Sequence, residues 1–144
     1  MTTTPDQERF TPQNDRTDGN TIEPMICVIT TEADAARAEQ LARTLVERRL
    51  AGCVSLLPLR SLYIWEGNLE HSDEVQLLIK TIPSQLEALK QAVLDLHSYV
   101  TPMWVQWQAQ TTTGYGAWLA QLRAPQGAPQ PTDADSHETG DRAG

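Results

Sequence analysis

The sequence predicts an α+β domain of ferredoxin-like βαββαβ order with an extra C-terminal helix. Three observations carry that expectation. Apolar residues change their period along the chain in the order strand, helix, strand, strand, helix, strand. A Glu66-Gly67-Asn68 turn separates two long extended segments. Polar, proline-containing ends enclose about 100 residues, enough for one hydrophobic core.

The first element is residues 25–30, Met-Ile-Cys-Val-Ile-Thr, a short apolar and β-branched run suited to a central strand covered on both sides. From Asp34 the period becomes helical. Ala38, Leu41, Ala42, Leu45 and Val46 form the apolar stripe, Glu39 stands four residues before Arg43, and the helix is expected to fade near Arg49 and Leu50, with Gly52 as punctuation.

Residues 53–65 form a second extended segment, where Pro58 demands a bend, a bulge or an edge position. Across the turn, residues 74–82 alternate, with Val75, Leu77 and Ile79 on one face and Gln76, Leu78 and Lys80 on the other. Ser84-Gln85-Leu86-Glu87 reads as a capping box that opens a second helix, whose buried stripe is Leu86, Leu89, Val93 and Leu96.

A fourth strand is expected over residues 103–108. After the Thr111-Thr112-Thr113-Gly114 turn, a last helix places Tyr115, Trp118, Leu119 and Leu122 on one face. Two crossovers then cover one side of a four-stranded sheet. The other side is expected to carry Leu56, Leu62, Ile64 and Trp104, and a small domain with a bare apolar sheet face hides it in an oligomer.

Charge is unevenly placed. Residues 1–23 hold five acids and two bases, and residues 124–144 hold four acids and one base, so each end carries −3 and residues 24–123 only −2 of the total −8. Both ends lack the apolar side chains that offset ordering entropy, and both are expected to be disordered tails flanking one domain at residues 24–123. No basic stripe is present to neutralise phosphates, which argues against nucleic acid as a partner. No apolar run reaches the roughly 18 residues of a membrane span, and the first ten residues lack the basic start and apolar stretch of a signal peptide. The two cysteines, Cys27 and Cys53, sit in strand-like segments and make no disulfide framework. A soluble cytoplasmic protein is the expectation.

Signals for conventional catalysis are missing. The sequence has no phosphate-binding loop, dinucleotide turn, nucleophile elbow or His-Glu-x-x-His motif, and Gly114-Tyr115-Gly116 reads as a turn. Of three histidines, His137 lies in a tail and His71 beside the hairpin. His97 ends the second helix, where it either caps the helix and bonds a nearby carbonyl or serves as a ligand. Tyr63, Trp65 and Tyr99 are packing residues or a binding platform. Lys80 is a lone cation near a strand end, solvated, paired with a carboxylate such as Glu74, or functional.

Leu50-Ala51-Gly52-Cys53-Val54, Tyr63-Ile64-Trp65-Glu66-Gly67, the run from Glu74 through Lys80-Thr81, His97-Ser98-Tyr99, and Tyr115 with Trp118-Leu119 together resemble the CutA divalent-cation-tolerance family. The resemblance spans about residues 25–123. It implies a homotrimer of ferredoxin-like subunits, related in architecture to PII signalling proteins and associated with tolerance of divalent cations, notably copper, without a catalytic reaction. The family's helix-to-strand loop commonly reads His-Pro-Tyr-Glu-Val-Pro-Glu-Ile. Here Val100 and Met103 replace its two glutamates and Trp104 follows. Copper ligands assigned in some members, a cysteine ending the first strand and a His-His pair, fall at Thr30 and at Leu96-His97.

Two functions follow from that resemblance. The first is a non-catalytic trimer of the metal response, with His97 as the remaining metal ligand of a weakened copper site. The second is a PII-like sensor binding a nucleotide or small anion between subunits through Lys80, Arg49 or Arg60. The short hairpin speaks against the sensor, because PII proteins carry a long loop between the same strands.

Overall fold

The computed structural model describes residues 24–123, and both expected tails lie outside the described residues. Strand β1 (Met25–Glu32), helix α1 (Ala35–Glu47), strands β2 (Cys53–Trp65) and β3 (Asn68–Thr81), helix α2 (Pro83–Leu96), strand β4 (Val105–Ala109) and helix α3 (Thr113–Leu119) follow in order, with a final 3-10 turn over Ala120–Arg123. The strands form one antiparallel sheet in the order β2-β3-β1-β4, the arrangement of a ferredoxin-like fold.

Helix α1 begins where Asp34 accepts a hydrogen bond from Arg37 N, and Glu39 reaches Arg43 at 2.8 Å across the expected turn. Its end is fixed by Arg49, which adopts φ 61 so that Arg49 N bonds Val46 O and Leu50 N bonds Leu45 O. The apolar stripe buries Ala38, Leu41 and Leu45, while Val46 is left 41% exposed at its margin.

Helix α2 departs from the expected capping box. It begins at Pro83, directly after Ile82, and Ile82 caps through its backbone with no side-chain bond. A proline at the first helical position lacks the N–H that would otherwise be orphaned and already holds helical φ, so the start moves upstream of Ser84. Leu89 and Val93 are buried as expected, Ala92 joins them, and Leu96 faces outward.

Strand β2 runs without a bulge. Its register with β3 is unbroken from Cys53 opposite Lys80 to Trp65 opposite Asn68, and Pro58 is tolerated because β2 is an edge strand. The turn has two residues, Glu66 and Gly67, at φ 51 and 83, the positive pair of a tight hairpin. Strand β3 therefore begins at Asn68, six residues before the sequence expectation.

Because β1 ends opposite Val75, residues 59–65 and 68–74 pair only with each other. They form a two-stranded ribbon projecting about 20 Å beyond the sheet at ~3.3 Å per residue.

Val54, Val75, Leu77, Ile79, Ile26 and Val28 share the face under α1 and α2, where they meet Leu41, Leu45, Leu89 and Val93 in the main core. Strand alternation corrects the assignment of the opposite face. Leu56 pairs with Leu77 and so lies on the helix side, as do Leu62 and Ile64 further along the ribbon, and Trp104 packs against the core ahead of β4. The open face instead carries Ile29, Leu57, Leu78, Val105 and Trp107.

Gly114 and Gly116 fall inside α3, not in a turn, because Thr112 caps that helix by accepting from Tyr115 N. Leu119 and Leu122 form a second small core with Ile82, and Gly52 lets them approach: a Cβ there would stand 2.5 Å from Leu119 Cδ1.

Candidate functional site

Polar groups converge where the ribbon joins the sheet. Glu32 ends β1 on its helix-covered face, and His97 ends α2, its N–H bonded to Val93 O at 2.9 Å. The His97 side chain is fully buried. Nε2 lies 2.7 Å from Thr31 O and 3.3 Å from Thr30 Oγ1, and Nδ1 accepts from Tyr99 N at 3.0 Å. A carbonyl can only accept and a backbone N–H can only donate, so the ring is the neutral Nε2–H tautomer. Both ring nitrogens are thereby engaged with the backbone.

Glu32, with a side chain 2% exposed, receives Ser98 Oγ at 2.6 Å, Ser98 N at 3.0 Å and Ala33 N at 3.0 Å, and its Oε2 is 3.5 Å from His97 Nδ1. Burial alone pushes its pKa up. The hydrogen bonds from Ser98 and Ala33 outweigh burial and hold the carboxyl below its ordinary range.

The cluster continues to the ribbon through Tyr99, whose hydroxyl donates to Glu74 Oε2 at 2.8 Å, while Ser61 Oγ donates to Glu74 Oε1 at 2.8 Å. Burial first, and the Glu74 carboxylate second, push the Tyr99 phenol well above its usual pKa, so it remains a donor at any physiological pH. The His97 and Tyr99 rings meet in a tilted contact, centroids 4.9 Å apart and planes inclined at 51°. A cleft of ≈ 230 Å³ opens beside the cluster, with Glu32 and Ser98 on one wall and Arg37 and Gln40 on another.

The sequence-predicted residues do not meet in one place. Of the candidate metal and anion ligands only His97 belongs to the cluster, where Tyr99 of the expected platform joins it. Lys80 lies on the open face, where Nζ bonds Ser55 Oγ at 3.1 Å and contacts Cys53 Sγ at 3.7 Å, so it pairs with neither Glu74 nor any carboxylate in these bonds. Arg60 is on the helix side of the ribbon, in an exposed ion pair with Asp73 at 3.0 Å. Arg49 bonds Gln121 O at 2.7 Å and ties the C-terminal turn to the end of α1. Lys80 and Arg60 are seven register positions apart on opposite faces.

Of the proposed platform, Tyr63 bonds Ser72 Oγ across the ribbon at 2.7 Å, Trp65 stands exposed at its tip, and Tyr99 is held by Glu74. Val100 is fully exposed and Met103 partly so, while Trp104 turns to the core. Among the described residues no group of three or more His, Cys, Asp or Glu side chains is placed to hold a metal ion. Sequence reasoning missed Glu32. The signal was an acid directly ending the most apolar strand, a position that demands partners.

A ferredoxin-like subunit with a projecting ribbon and a buried His-Glu cluster at its root is the class that fold and site define. Comparison with known proteins then gives the family. The family model described as CutA1 divalent ion tolerance protein matches residues 26–122. The "Divalent-cation tolerance protein CutA" of Pectobacterium atrosepticum is 49% identical over 78 residues, 54% of this chain and 71% of that protein. That of Citrobacter koseri is 38% identical over 113 residues, 76% of this chain and 98% of that protein. The structure of CutA from Synechococcus elongatus superposes with a TM-score of 0.67 at 33% identity, covering 69% of this chain and 90% of the other. The chain belongs to the CutA divalent-cation tolerance family.

Proposed function

We propose that this chain acts in the divalent-cation response as a non-catalytic cytoplasmic homotrimer whose copper site is weakened. The observation that carries the reading is the state of His97. Its Nε2–H is donated to Thr31 O and its Nδ1 lone pair is taken by Tyr99 N–H, so binding a metal through either nitrogen requires breaking a buried backbone hydrogen bond. Tight copper sites need several imidazole or thiolate ligands, and the neighbouring positions hold Thr30 and Leu96.

Support for the trimer comes from apolar surface on both sides of the ribbon. Leu62, Ile64 and Trp65 are 66%, 67% and 61% exposed there, and Leu57, Val105 and Trp107 extend the patch over the open sheet face. Edge strands β2 and β4 offer unpaired backbone to a neighbouring copy. The cytoplasmic placement rests on two free thiols, and no helix among the described residues is long and apolar enough to cross a membrane. Residues 1–23 and 124–144 are read as tails dispensable for folding.

Isothermal titration with Cu²⁺ on tag-free protein tests the metal reading. Weak, non-stoichiometric binding is expected. A stoichiometric submicromolar site abolished by His97→Ala would overturn it.

A further inference from the structure

Helix α1 ends at Arg49, a residue held in the left-handed region at φ 61, where glycine is the usual occupant. Its backbone is fixed on both sides: Arg49 N donates to Val46 O at 2.9 Å, and Arg49 O accepts from Gln85 Nε2 at 2.9 Å. The side chain is thereby delivered to a pocket of ≈ 200 Å³ between the end of α1 and the C-terminal turn. Val46 and Trp118, 41% and 45% exposed, give that pocket apolar walls, and Gln121 and Leu122 complete it. It lies at the end of the sheet opposite the ribbon. None of its lining residues belongs to the open face, to the ribbon or to edge strands β2 and β4, where contacts between copies were placed.

The Arg49 guanidinium is incompletely partnered there. Nη2 donates to Gln121 O at 2.7 Å, while the enclosed Nε has no acceptor among the described residues. The exposed Arg37, Arg43 and Arg60 each hold a carboxylate, from Asp34, Glu39 and Asp73, whereas half-buried Arg49 pairs with none among the described residues. A charge partly removed from water needs its counter-charge more than an exposed one does. Glu47 stands against Arg48 and Arg123 in the flanking positions, so the chain beside the pocket is net cationic. The chain continues from Arg123, two positions past Gln121, into residues 124–144 with their four acids and one base. Asp133 and Asp135 are the first of those acids, ten and twelve residues beyond Arg123. Ten residues span up to ~33 Å, so reach is no constraint, and the shortest closing loop costs least in entropy.

We propose that Arg49 is a docking site for the C-terminal segment of this chain, receiving the carboxylate of Asp133 or Asp135 while residues 124–132 lie across Val46 and Trp118. A carboxylate is the matching acceptor, because its two oxygens take parallel N–H bonds from one guanidinium. Ala124, Pro125, Ala128, Pro129 and Pro131 supply the apolar atoms that cover the pocket walls. Docking adds a strap to a core that is already folded, so it agrees with tails that folding does not require.

The test is trypsin cleavage of the full-length native protein, followed over time by mass spectrometry. The cut after Arg123 is compared with the cut after Arg16 at the other end of the chain, which serves as an internal clock. Asp133→Asn combined with Asp135→Asn should speed the Arg123 cut about ten-fold, the effect of losing a charge-assisted hydrogen bond, and leave the Arg16 cut unchanged. Arg49→Gln should speed the same cut, and adding the two tail substitutions to it should change nothing further. The Arg49 Nε–H signal in ¹⁵N spectra, identified by its loss in Arg49→Lys, should move in the tail variant and stay in place when acetate is added to wild type. Four results would overturn the proposal. The Arg123 cut could keep its rate in the tail variant, or the effects of the two sites could simply add. Acetate could move the Nε–H signal where the tail substitutions do not, which would assign the pocket to a free carboxylate. Arg49→Gln could change the mass in sedimentation equilibrium, which would assign Arg49 to a neighbouring copy. If Arg49→Gln fails to fold, the tail variant and its Nε–H signal, both measured with Arg49 in place, decide the case.

Discussion

Replacing Glu32 by Gln probes the buried cluster without opening a cavity, since the two side chains have the same shape. The Glu32 carboxylate accepts three hydrogen bonds, from Ala33 N, Ser98 N and Ser98 Oγ. An amide offers one oxygen, and its NH₂ must face at least one of the two backbone donors. One buried N–H is then left unsatisfied, at about 1–3 kcal/mol, and the remaining bonds lose their charge assistance, worth about 1 kcal/mol more. The expected loss is therefore about 2–4 kcal/mol at pH 7, read from urea unfolding at fixed protomer concentration.

The pH dependence has a definite sign. The folded pKa of Glu32 lies below the unfolded value of roughly 4.3, so its contribution is fully present above that value. It is lost as pH falls through the folded pKa. The stability gap between wild type and Glu32→Gln should be flat above about pH 5 and should narrow below roughly pH 4. A gap under about 0.5 kcal/mol at pH 7, or one unchanged at pH 3.5, would refute the assigned hydrogen bonds.

Gly52→Ala sets a Cβ against the buried Leu119 and should cost about 1–3 kcal/mol, with faster amide exchange in α3 as the local signature; unchanged exchange would contradict the close approach. Trp107→Glu places a charge on the open face and should reduce the mass in sedimentation equilibrium from about three times the 16.0 kDa chain toward one; an unaltered trimer would place the interface elsewhere. Limited proteolysis should leave a stable core near residues 24–123, and a large fall in melting temperature on trimming would show that the tails are structural.

The order of elements was legible because each has its own hydrophobic period, and the main core stripe of α1 follows directly from that period. Sheet faces were less so. A strand's alternation divides Leu56 from Leu57 but does not say which lies under the helices, and only the pairing of Leu56 with Leu77 decides it. The start of α2 was misread because Ser84 and Glu87 have capping-box spacing, while Pro83 just upstream is itself a favoured first residue. His97 was legible as the end of a packed helix. Its role was not, because its partners are the Thr31 carbonyl, 66 residues away, and the amide of Tyr99, and backbone groups leave no mark in side-chain composition. Glu32 and Ser98 meet across the same 66 residues by the same fold-dependent route. The partners of Lys80 were equally hidden, since register, not sequence proximity, puts Cys53 beside it.

The ¹⁵N chemical shifts of the His97 imidazole, recorded near pH 7 with and without one equivalent of Zn²⁺, test most directly whether this histidine is held by the fold and not by a metal. The expected spectrum is that of the neutral Nε2–H tautomer, with Nδ1 as a hydrogen-bonded acceptor, and it should be unchanged by the metal. An Nδ1–H tautomer, or a metal-dependent shift of either nitrogen at one equivalent, would contradict it.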